Sequence, residues 1–155
     1  MTQHNLWGSN HYGHPDLTDG DIVSARQQLG RTLPEEYLNL LRVQNGGYTR
    51  GLVFPTAQPT SWADDHVPLE WLAGIVLNPS ITTPFNLLES PRLSELWGLP
   101  EHQLLLSGEG HWWITLDYRH GANPVVSWID VESNEDIELA ASFGAFLDAL
   151  EVAEQ

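Results

Sequence analysis

The chain has 155 residues, 41% of them hydrophobic and seven of them tryptophan, which is enough apolar material for one domain, residues 1–155, with a real core. It carries 21 acids against six arginines and no lysine, for a formal charge of −15, a balance that repels nucleic acid and anionic membranes and attracts basic proteins. The lack of cysteine excludes disulfides and thiolate sites, and the lack of lysine excludes Schiff-base chemistry.

The first ten residues, MTQHNLWGSN, hold no positive charge and no apolar h-region, so no secretory signal is expected and the expected location is the cytoplasm. Residues 1–17 are aromatic and histidine-rich and read as irregular. Thr18 and Asp21 have the spacing of a capping box, which predicts a helix over roughly 19–29 closed by Gly30, with Ile22, Ala25, Arg26 and Leu29 on one face.

A second helix follows in LPEEYLNLLRVQNGG, residues 33–47. Pro34 suits the first helical position, where a missing N–H costs nothing. Glu35 and Glu36 complement the positive end of the helix dipole, and Arg42 complements the negative end. Tyr37, Leu40, Leu41 and Gln44 recur at helical spacing, Leu38 widens the stripe, and Asn45-Gly46-Gly47 ends the helix. The sequence then reads as strands at Leu52–Phe54 and Leu72–Leu77, separated by a polar loop from Pro55 to Pro68. Ser90-Pro91 starts a short helix that runs to Trp97-Gly98. QLLLS, HWWITLDY and PVVSWIDVE, divided by the turns GEG and RHGAN, predict a three-stranded antiparallel meander over residues 103–131. Ser142 caps a closing helix over 142–152, with Phe143, Phe146, Leu147 and Leu150 on its face. The predicted class is α+β: a central, mostly antiparallel sheet, a helix pair at the N-terminus and a closing C-terminal helix.

Candidate chemistry is sparse. His4, His11 and His14 stand near Asp16 at no spacing that a compact zinc site uses, and Asp64-Asp65-His66 reads as a solvated loop. No metal and no cofactor is expected. Gly108-Glu109-Gly110 lacks the following helix of a phosphate loop, and no nucleophile elbow is present. Glu109, His111 and Asp117 form a conceivable acid–base set, but at ordinary strand rise His111 and Asp117 lie roughly 20 Å apart. The expectation is a binder and not an enzyme.

Alternation along HWWITLDY puts Trp112, Ile114 and Leu116 on one face, and His111, Trp113, Thr115 and Asp117 on the other. Trp113 and Trp128 leave two readings open: each is covered by a helix or loop, or each is presented to a partner beside carboxylates. Charge is concentrated late in the chain, with ten acids and five arginines in residues 1–100 but eleven acids and one arginine in residues 101–155. From Asp130 onward there are eight acids and no base.

Taken together, LPEEYLNLLRVQNGG, the GEGHWWITLDY hairpin, PVVSWID and SFGAFLDAL resemble the SUKH superfamily, in its Smi-one/Knr-four branch, over about Leu17 to Leu150. The resemblance implies an α+β fold without catalytic residues. It implies one of two roles: a bacterial immunity protein that neutralises a cognate toxin, often a nuclease, or a regulatory module that acts through protein contacts. A basic toxin domain or another protein is the expected partner. Trp113, Trp128, Asp130, Glu132, Glu135 and Asp136 are the expected contact residues, with the four acids facing solvent.

Overall fold

The computed structural model describes residues 6–153, so the readings that fall on residues 1–5, His4 among them, lie outside the described residues. Thr18 opens α1 (Asp19–Leu29) with both halves of the capping box: its hydroxyl accepts from the Asp21 N–H, and the Asp21 carboxylate accepts from the Thr18 N–H. Gly30 ends the helix at φ 68°. Helix α2 (Glu35–Val43) starts just after Pro34, and its stripe of Tyr37, Leu38, Leu40 and Leu41 is buried. The Tyr37 hydroxyl donates to the Ala73 carbonyl at 2.5 Å, and burial pushes its pKa far above the ordinary value.

The strands form two antiparallel sheets and not one central sheet. In the first, β1 (Gly47–Pro55) lies between β2 (His66–Leu72) and the short β7 (Glu151–Val152). The second is a meander of β3 (Gln103–Glu109), β4 (Trp112–Asp117), β5 (Val125–Asp130) and β6 (Glu135–Ala140). A 3₁₀ turn at Leu87–Glu89 leads into α3 (Ser90–Trp97). Ser142 caps α4 (Phe143–Ala149), which ends three residues earlier than expected because Glu151 and Val152 leave to pair with β1. The class is α+β. One core cluster takes residues from α1, α2, α4 and both sheets.

Two further strand readings are corrected. The apolar run Leu72–Leu77 is not a strand beyond Leu72; the ladder stops there, and β2 lies upstream in HVPLEWL. Pro68 sits within β2, which is tolerated because β2 is an edge strand. β6 arises from EDIELA, where Ile137 and Leu139 pack on the core between outward acids.

The chain after β2 is held by side-chain amides. The Asn45 Nδ2 donates to the carbonyls of Pro15 and Ile75 at 2.9 and 2.8 Å, and its Oδ1 accepts from the Ile75 N–H at 2.8 Å. Asn86 does the same for Val76, accepting from its N–H and donating to its carbonyl. Gly74 lies so close to the helix terminus that an added Cβ would stand 2.0 Å from the Asn45 carbonyl oxygen. The expected Asn-Gly-Gly stop is corrected: α2 ends at Val43 with Gln44 already extended, and Asn45-Gly46-Gly47 is instead a clasp between the helix pair and the 73–77 segment. The Ala73 N–H completes the link by donating to Leu106 of β3, so the two sheets are tied at this point.

Candidate interaction surface

The six expected contact residues do not form one surface. Trp128 is fully buried on the core face of β5; its ring stacks on Trp112 at 5.3 Å, and its Nε1 donates to Glu135 at 2.9 Å. Trp62, from the loop between β1 and β2, packs at a tilt against Trp112, with centroids 5.3 Å apart. Asp130, expected to face solvent, is 0% exposed. It accepts hydrogen bonds from the Ser61 hydroxyl, from His111 Nδ1 at 2.8 Å and from the backbone N–H groups of Glu132 and Ser133. Glu135 also accepts from the Ser61 N–H at 2.9 Å. Trp128, Asp130 and Glu135 thus anchor the 56–65 loop to the second sheet, and Trp128 and Asp130 are not offered to a partner. Burial raises the Asp130 pKa, and the donors around the carboxylate outweigh that and hold it below its usual value. The hydrogen bond to Asp130 is the main cause that raises the His111 pKa.

Ser61, Asp130 and His111 are the residue types of a nucleophilic triad in the wrong order. Asp130 stands between the hydroxyl and the imidazole, so the histidine does not face the serine and the set orders a loop. Asp117 is likewise structural. It takes hydrogen bonds from Arg119, Gln103 and Ser127, while Arg119 reaches on to Asp136 at 2.7 Å. Burial pushes the Asp117 carboxyl up, but these donors prevail and hold it at about 2. Of the expected acids, Glu132 is the freest, with a side chain 72% exposed that reaches His111 at 3.3 Å.

Trp113 lies on the opposite face of its strand and is covered, 5% exposed, but it floors a cleft of about 490 Å³. Tyr48, Trp71, Phe85 and Trp97 supply the aromatic walls. Trp71 stacks on Phe85 at 4.3 Å, and Trp113 meets Trp71 edge-on at 6.3 Å. Trp113 Nε1 donates to the Gly110 carbonyl at 2.8 Å, which fixes the ring. Its ring lies against Gly108, where an added Cβ would come within 2.6 Å of it, so the hairpin needs glycine there. Tyr48 and Trp97 remain 39% and 42% exposed. Glu70, Glu89 and Glu109 line the same cleft, and Arg92 is paired with Glu89 at 2.8 Å.

Apart from Trp113, this cleft escaped the sequence reading. Its walls come from β1, β2, the segment before α3, α3 itself and the β3–β4 hairpin, and no local period links them. The abundance of tryptophan was the available signal. Among the described residues no group of three or more histidines, aspartates or glutamates is placed to hold a metal ion. His14 is instead buried against the Asn45 carbonyl and the Thr83 hydroxyl.

The sequence profile of the SMI1 / KNR4 family (SUKH-1) matches residues 16–149, nearly the whole chain. The chain belongs to that family. No curated protein matches it. Asn45-Gly46-Gly47 and the cleft-lining Tyr48, Trp71, Phe85, Trp97 and Trp113 fall inside the matched span, and the SUKH-1 family is in general non-catalytic. Among the described residues no helix is long and apolar enough to cross a membrane.

Proposed function

We propose that this SUKH-1 chain is a cytoplasmic, non-enzymatic immunity protein that binds and neutralises a cognate basic toxin domain. The observation that carries the reading is the cleft floored by Trp113: large aromatic rings partly open to solvent, beside carboxylates, on a chain of charge −15. Aromatic anchors supply affinity at protein interfaces. Complementary charge steers the encounter and rejects acidic competitors. Membership of a family that fits binding roles supports the same reading.

Co-expression with the product of the neighbouring gene is the direct test. The expected result is relief of growth arrest and a stable complex that forms more slowly as salt rises. Arrest that persists, with no complex at low salt, would sink the proposal. A complex with an endogenous non-toxic protein would assign the chain to regulation instead.

A further inference from the structure

Deepening that reading, and resting on it only in taking the occupant to be a protein, we propose that the aromatic cleft is an arginine-binding site that seats the guanidinium of a partner segment. Three features converge on this chemistry. The stacked Trp71–Phe85 pair, the perpendicular Trp113 and the half-open Trp97 line one volume, and aromatic rings carry electron-rich faces. Such faces attract cations, and a planar, weakly hydrated guanidinium stacks on them better than a compact ammonium.

Charge is the second feature. The cleft holds three carboxylates and one cation, and Arg92 is already taken by Glu89. The side chains of Glu70 and Glu109 make no hydrogen bond or ion pair among the described residues, and both residues are exposed. An apolar side chain entering here would strip water from two carboxylates and return nothing, whereas a guanidinium supplies paired donors to them. An anion would meet net repulsion.

The third is shape. A volume of about 490 Å³ accommodates a long side chain with its flanking backbone. The floor is preset, because the Trp113 hydrogen bond to Gly110 and the Gly108 contact fix the ring before any ligand arrives. Little ordering is left for binding to impose.

The test uses the full chain and follows its tryptophan indole N–H resonances during titration with a short acetylated Gly-Arg-Gly amide, its citrulline counterpart and its lysine counterpart. The arginine peptide should shift Trp71, Trp97 and Trp113 and leave Trp62 in place. Citrulline should shift none of them, and lysine should bind more weakly. Glu70→Gln with Glu109→Gln should weaken the arginine peptide about tenfold through loss of charge-assisted pairing, with the fold unchanged. Glu132→Gln should have no effect. Equal binding of the citrulline peptide, or shifts confined to other tryptophans, overturns the site. So does a free dimer that the peptide dissociates, because the occupant would then be a second copy of the chain. A toxin domain that binds the doubly substituted chain at full strength refutes the arginine site and leaves the immunity reading standing. Arginine-specific shifts without any toxin partner do the reverse.

Discussion

His111 Nδ1 lies 2.8 Å from Asp130 Oδ1, so a half-exposed imidazole in the turn before β4 is tied to a fully buried carboxylate at the end of β5. The bond raises the folded-state pKa of His111. Its stabilisation is therefore complete below the unfolded value of about 6.5 and is lost as pH rises through the higher folded value. Urea midpoints measured between about pH 6 and 8 should fall with pH, and His111→Gln should flatten that slope. An unchanged slope in the variant would remove His111 from the linkage.

Asp117 works in the opposite direction. Its folded pKa of about 2 lies below the ordinary value of 3.8, so the unfolded chain takes up this proton first as pH falls. Its stabilisation is full above about pH 4 and is lost towards pH 2, on the order of 2 kcal/mol in all. Asp117→Asn should cost about 1–3 kcal/mol at neutral pH and blunt the acid limb of a stability profile.

Asn45 satisfies three backbone groups, two of them on the buried Ile75. Asn45→Ala strands both polar groups of Ile75 and removes the bond to the Pro15 carbonyl, and should cost about 2–4 kcal/mol in a denaturant melt. Leu41→Ala, at a position 1% exposed, should cost about 2–5 kcal/mol in the same assay. Less than about 0.5 kcal/mol at either position would contradict the packing described.

The acids of the C-terminal half divide into two kinds. Asp130→Lys puts a second cation beside His111 and breaks the Ser61 anchor, so the variant should lose more than about 4 kcal/mol or fail to fold. Glu132→Lys should stay within about 0.5 kcal/mol of the parent and act only on the association rate with a basic partner. Thermal melts and stopped-flow traces of the two variants separate these outcomes.

Local signals in the sequence were reliable where the physics is local. The Thr18 capping box, the Gly30 stop, the buried stripe of α2, the Ser142 cap and the three strands of residues 103–131 all form where the spacing places them. What escaped depends on pairing between distant segments. Pro68 hides an edge strand, and the acids of β6 hide the alternation of Ile137 and Leu139. The apolar run after Leu72 looks like a strand because side-chain amides from Asn45 and Asn86, invisible in a linear pattern, replace its ladder. For the candidate surface, Trp113 was legible as a residue of interest, but nothing in its own strand announces Trp71, Phe85 or Trp97. Asp130 misled for a related reason: an acid next to a turn reads as solvated until the loop bearing Ser61 is seen folded over it.

The file of indoles from Trp62 through Trp112 to Trp128 runs from a ring 44% exposed to one with no exposure, with centroids 5.3 Å apart at each step. Chromophores this close share their excited states. The protein therefore carries a built-in optical gauge of whether the 56–65 loop is seated, readable as an exciton couplet in its far-ultraviolet circular dichroism without any label. The couplet would dim as the loop lifts, even while the helices and both sheets stay intact.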